Sequence, residues 1–165
     1  MHNVFFICTA NNYRSRFCEM LFNHLASQSL LDWTATSRGV ASELGIGNIG
    51  NLSEYAIGGL IERGVPMPVS FRELQQLTGK DLASAEIVVV LDEVEHRPYM
   101  EVKFPDWADK VTYWHVGDLH VATSEEALEL AERNVRELII VCRTSTNGIY
   151  GKPDGQSGPA IPQQT

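Results

Sequence analysis

The stretch Val4-Phe5-Phe6-Ile7-Cys8-Thr9-Ala10-Asn11-Asn12-Tyr13-Arg14-Ser15 decides how the rest of the chain is read. Residues 4–7 form a continuous apolar run, too short for a helix and right for a strand buried on both faces. Residues 8–13 are small and polar and predict a loop. A helix is expected from about Arg14, because Phe17, Leu21 and Leu25 recur every four residues on one face, and it should run to about Leu31. A loop between a buried strand and a helix start can aim successive N–H groups at one anion, and the helix macrodipole adds positive potential. The loop has the form C-x5-R-S. A sulfur at its entrance sits beneath a bound phosphate, and the same field favours thiolate, so the Cys8 thiol is expected below its free value of about 8.5. Arg14 supplies a planar fork that matches two phosphate oxygens. Ser15 can donate to the thiolate. Asn11 is a residue type that tolerates the left-handed backbone of a tight cradle, and the amides of residues 9–14, from Thr9, Ala10, Asn12 and Tyr13 onward, would line it. Each residue alone also has a plainer reading, a small core cysteine and a solvated arginine, and C-x5-R arises by accident. The combination of strand, loop, helix and Ser15 carries the weight.

Outward from this stretch, strands and helical segments alternate. Residues 33–37 read as a second strand and 42–51 as a Gly/Asn-rich loop. Residues 53–63 read as a helix closed by Gly64, and 65–68, with two prolines, as extended. Residues 71–77 and 79–83 read as short helical turns. Residues 87–91 are the clearest strand, 94–100 a short helix interrupted by Pro98, and 111–116 a fourth strand. The last helix carries Leu128, Ala131, Val135, Leu138 and Cys142 on one stripe, with Thr123 and Glu126 as its capping box. After Arg143 the composition turns to Gly, Pro, Ser and Gln, which predicts a domain over 1–142 and a tail over 143–165. The expected fold is α/β: a single three-layer domain, a four-stranded parallel sheet flanked by helices, with right-handed crossovers and the phosphate-binding loop between strand 1 and helix 1.

Composition bounds the function. The 165 residues carry 13 Lys+Arg against 21 Asp+Glu, a net charge of −8, which argues against a general nucleic-acid binder. No apolar run reaches the roughly 20 residues of a membrane span, and no signal peptide is apparent. Three cysteines without a C-x-x-C pair, and five histidines without metal-ligand spacing, predict a reduced cytoplasmic protein with no metal and no cofactor. Trp107, Tyr113 and Trp114 could line a ligand cleft, but at strand positions such residues more often pack. Arg14 and Arg16 against Glu19 make residues 1–31 a positive spot on this acidic body.

The motif resembles that of the low-molecular-weight protein tyrosine phosphatases, which open with a strand, C-x-x-N-x-x-R-S and a helix carrying an early Glu, here Glu19. The likeness extends over about residues 4–142. Ser37-Arg38-Gly39 is similar to the family's Ser-Ala-Gly, and the segments at 62–65, 70–74 and 81–92 resemble their counterparts. The resemblance implies hydrolysis of an aryl phosphate, in a phosphotyrosine protein or a small molecule, by Cys8 as nucleophile through a phosphocysteine. Arg14 would hold the phosphate and Asp118, on the loop after strand four, would protonate the leaving phenolate. Ser37 would support the loop. Asp106 is the competing acid, on the wrong side of the strand. The chain departs from the family at Leu119 (Pro after the acid), Tyr13 (a second Cys), Arg16 (Pro) and Val69 (a His that supports Asn11). Cys18 reads as core or as a reversible partner of Cys8. A thiol-dependent arsenate reductase lacks its further cysteines here, since 88–110 contain none. A phosphocarrier would have neither Arg14 nor Asp118, and a silent phosphate-binding module is the remaining alternative.

Overall fold

The computed structural model describes residues 1–45 and 50–146. Its centre is β1 (His2–Cys8), flanked by β2 (Trp33–Gly39) and β3 (Ile87–Val90), with β4 (Thr112–Tyr113) outside β3. All three pairings are parallel, with Cys8 opposite Gly39 and Ile7 opposite Val90. The helices are α1 (Arg14–Gln28), α2 (Glu54–Glu62), α3 (Gly79–Ser84), α4 (Glu93–Lys103) and α5 (Ser124–Thr146), with a 3-10 turn at Ser42–Gly45.

The pleat of the central strands divides the core in two. Val4, Phe6 and Cys8 join Ile87, Val89 and the buried faces of α1, α2 and α5 in one cluster. Ile7 and Val90 join Leu82 of α3, Met100 of α4 and Tyr113 in the other. Helices therefore cover both sheet faces, the arrangement expected for a sheet whose central strands β1 and β3 carry continuous apolar runs. Phe6 touches the rings of Phe22 and Trp114, and Tyr113 donates to the Ala108 carbonyl at 2.8 Å, so these aromatics pack rather than line a cleft. The α5 stripe from Leu128 to Cys142 is buried at every predicted position, and the Thr123–Glu126 box forms in both directions. Burial pushes the Cys142 thiol up to about 12, as suits a core residue.

Four expectations change. Residues 71–77 are not helical: they run extended, and Gln76 bridges to Gly39. Their backbone is engaged sideways, Leu77 N–H donating to Gly39 O at 2.8 Å and Gly39 N–H to Gln75 O at 2.7 Å. Pro98 does not interrupt α4, because the carbonyl deprived of its donor belongs to Val94, which is exposed and open to water. The fourth strand shrinks to two ladder residues; the chain then crosses the end of β3, with Val116 N–H on Leu91 O at 2.8 Å. Finally, α5 continues to Thr146, so residues 143–146 are helical; the rest of the expected tail, 147–165, lies outside the described residues.

Because α5 is bound by one buried stripe, Leu138→Ala should lower unfolding stability by about 2–4 kcal/mol, and Ile140→Ala, on the exposed side of the same turn, by under about 0.5 kcal/mol. Urea denaturation of the two variants checks this.

Candidate active site

β1 ends at Cys8, and the chain turns through residues 9–13 into α1. Ser53, Thr78 and Thr123 cap α2, α3 and α5. Neither Tyr13 of α1 nor Asp92 of α4 makes a side-chain capping hydrogen bond, but α4 carries Glu93 and Glu95 in its first turn, whereas the first turn of α1 holds no acid. Among the described residues, the amides of residues 10–15 donate to no backbone carbonyl. Orphan N–H groups at a helix start need an acceptor from outside the helix.

The loop is held in shape from behind. Asn11 is fully buried at φ 63°, the left-handed region expected for it. Its amide donates to Ser15 Oγ at 3.1 Å and Ser37 Oγ at 2.9 Å, and its oxygen accepts from Arg72 Nη1 at 3.1 Å and Gln75 N–H at 3.0 Å. Ser37 donates to Glu19, which also takes Arg72 Nη2 at 2.7 Å. Val69, at the position of the family's histidine, is fully exposed, and Arg72 and the Gln75 N–H satisfy the Asn11 oxygen. Arg16 is buried and donates to the carbonyls of Asn51 and Arg72, tying two further segments to the helix. Gly39 lies so close that a Cβ there would meet Thr9 O at 2.6 Å.

The front of the loop opens on a cavity of about 220 Å³. Cys8, Thr9, Ala10, Asn12, Tyr13, Arg14 and Asp118 line it, joined by Leu44 and Glu95. Asn11, Ser15 and Ser37 stand behind it as buried supports. The Cys8 sulfur is 2.9 Å from Ser15 Oγ; as a thiolate it has no proton, so the hydroxyl donates. Asp118 reaches the cavity without a following proline. Its backbone carbonyl accepts from Val121 and Ala122, its Oδ1 accepts from Leu119 N–H, and its Oδ2 lies 3.5 Å from Arg14 Nη2. Asp106 lies exposed in the turn after α4 and does not line the cavity. Tyr13 is buried with an unpartnered hydroxyl; burial, reinforced by Asp118 and opposed by Arg14, moves its pKa up to about 12. Cys18 is fully buried, which raises its thiol pKa, and packs in the core.

The sequence reading missed Glu95. Both Arg14 Nη atoms donate to its carboxylate, at 2.8 and 2.9 Å. Thr9 Oγ1 donates to it at 2.5 Å, and buried His96 stands 3.0 Å from that hydroxyl. Burial alone would raise the Glu95 pKa, but the His96 ring 3.4 Å away, the hydrogen bonds from Arg14 and Thr9 and the Arg14 charge hold it well below the usual carboxylate range. In the sequence Glu95 reads as an ordinary acid in a first helical turn, where the macrodipole favours one. The expected positive spot therefore changes: the cavity sets one guanidinium against the carboxylates of Glu95 and Asp118. Among the described residues, no group of three His, Cys, Asp or Glu could hold a metal ion.

The family model of the low molecular weight phosphotyrosine protein phosphatases matches residues 3–138. The chain belongs to this family. Its fold is shared by a low molecular weight protein tyrosine phosphatase from T. tengcongensis (26% identity, TM-score 0.66, 85% of this chain and 96% of that one covered). YfkJ from Bacillus subtilis (19%, 0.73, 87% and 96%) and the YwlE arginine phosphatase from Geobacillus stearothermophilus (20%, 0.70, 93% and 100%) share it too. No curated protein matches the chain. Membership makes this protein a cysteine-dependent phosphatase.

Gly39→Ala should force the Thr9–Asn11 backbone to move and lower stability by about 1–3 kcal/mol, read by urea denaturation.

Proposed function

We propose that the protein hydrolyses phosphotyrosine, in a phosphoprotein or a small aryl phosphate, through a phosphocysteine. One observation carries the reading: an uncapped helix start, a sulfur at the end of β1, a buried guanidinium and a carboxylate all face one cavity. The Cys8 thiolate attacks phosphorus. The amides of residues 9–14 and the Arg14 guanidinium hold the equatorial oxygens, where charge accumulates in the transition state. Asp118 protonates the leaving phenolate, then takes a proton from the water that cleaves the S–P bond. Ser15 stabilises the departing thiolate. No metal or cofactor takes part. A free thiol nucleophile suits a reducing compartment such as the cytoplasm; no described helix is long and apolar enough to cross a membrane.

A second substrate reading rests on Glu95 and Asp118. Two carboxylates at one cavity favour a leaving group that carries positive charge, such as the guanidinium of phosphoarginine. Arsenate reduction finds no support in Cys18 and Cys142, which are both buried in the core.

Turnover of p-nitrophenyl phosphate tests the reaction. The wild type should be active and blocked by orthovanadate, Cys8→Ser inactive, and Asp118→Asn slower by about 10²–10⁴. Oxyanion binding without turnover would leave a silent phosphate-binding module or a carrier. Comparing phosphotyrosine and phosphoarginine peptides then separates the two substrate readings.

A further inference from the structure

The N–H donors of Arg14 can be assigned one by one. Nη1 gives one proton to Glu95 Oε2 at 2.8 Å and the other to Val116 O at 2.9 Å. Nη2 gives one to Glu95 Oε1 at 2.9 Å. Nε has no partner, although the side chain is 2% exposed. Glu95 thus grips the end of the guanidinium, and Val116 O takes the outer proton on the Nη1 side. What remains is the opposite edge, Nε–H and the second Nη2–H; Asp118 Oδ2 lies 3.5 Å from Nη2 and makes no hydrogen bond to it. Those two N–H bonds run parallel and match two oxygens of a tetrahedral or trigonal oxyanion.

Glu95 is itself held. Asp92 N–H donates to His96 Nδ1 at 3.0 Å, so Nδ1 carries no proton and Nε2 does. Nε2–H then donates to Thr9 Oγ1, and the Thr9 proton goes to Glu95 Oε1. The donors run from the end of β3 through His96 and Thr9 to the Glu95 carboxylate, where they meet those of the guanidinium. Thr9 belongs to the loop, so the same chain fixes both the loop and the arginine that serves it.

We propose that Glu95 is a positioning residue for the phosphatase reaction, holding Arg14 end-on so that its free edge faces the cavity as a paired donor. The proposal rests on the assignment of Arg14 to the phosphoryl oxygens. A guanidinium fixed in advance contributes to the transition state without reorganising, whereas a loose one must be ordered at each turnover. The expected signature is therefore a loss in kcat rather than in substrate binding.

The test uses Glu95→Gln, which keeps the size and removes the charge and one acceptor. Its kcat on p-nitrophenyl phosphate should fall by about tenfold to a hundredfold, with KM changed by less than about threefold. Inhibition by vanadate, which mimics the trigonal transition state, should weaken by about the same factor as kcat, while inhibition by inorganic phosphate stays within about threefold. A variant that is merely less well folded would lose active enzyme but keep both inhibition constants, and that result would overturn the proposal. So would phosphate inhibition that tightens about tenfold or more, which would make Glu95 a competitor for Arg14 rather than its support. Thr9→Val, which breaks the chain one link further back, should shift vanadate inhibition in the same direction by a smaller factor; no shift removes the Thr9 link. Calorimetric binding of vanadate and phosphate to both proteins reads the same ratio without turnover. A wild type that binds vanadate but does not hydrolyse sinks the phosphatase reading alone, and an unchanged ratio in Glu95→Gln sinks the Glu95 proposal alone.

Discussion

The side-chain amide of Asn11 is the joint on which the site depends. Among the described residues the amides of residues 10–15 find no backbone carbonyl, so the loop after β1 is not stabilised by a ladder of its own backbone. Asn11 substitutes for that ladder. Both amide protons and both oxygen lone pairs are used, on Ser15, Ser37, Arg72 and Gln75. Those partners come from α1, β2 and the extended segment before α3, so one buried side chain ties three parts of the chain to the loop. A buried amide that lost a partner would carry the desolvation cost of the unpaired group, which makes the arrangement sensitive to every member.

The network also accounts for the departures from the family pattern. Val69 supplies no hydrogen bond, and Arg72 with the backbone of Gln75 satisfies Asn11 instead. The same need keeps residues 71–77 extended: a helix there would turn the Gln75 amide and the Gly39 partners into its own ladder. Arg16, in place of a proline, reaches the carbonyls of Asn51 and Arg72 and so joins the network rather than standing in solvent. Leu119 takes over part of the turn, its amide donating to Asp118 Oδ1 at 2.9 Å, which leaves Oδ2 toward Arg14.

The electrostatics follow from where β3 and β4 end. Both strands are parallel to β1, so the chain segments leaving all three meet at one edge of the sheet. β3 delivers Asp92, Glu95 and His96 to that edge, and the short β4 delivers Val116 and Asp118. The cavity combines orphan amides and a guanidinium with two carboxylates, a mixture suited to chemistry in which charge moves rather than to passive capture of an anion.

Much of this was legible in the sequence. Strand β1, the open loop, α1, the left-handed Asn11 and the α5 stripe each rest on contacts a few residues apart, where apolar periodicity and backbone preference act directly. Cys8, Arg14 and Ser15 lie within eight residues, so their meeting follows from the loop itself. Asp118 came from the family resemblance; a lone loop aspartate has no local signature. Glu95, His96, Arg72 and the true course of residues 71–77 were decided only by the tertiary structure. The long-range partners of Glu95, His96 and Arg72 are 35 to 87 residues away in the chain, and their side chains look like ordinary surface choices until a parallel sheet brings the strand ends together. Local sequence determines which backbone can form an anion cradle; the sheet decides which distant charges stand around it, because hydrogen bonds and ion pairs act over ångströms in space rather than residues along the chain.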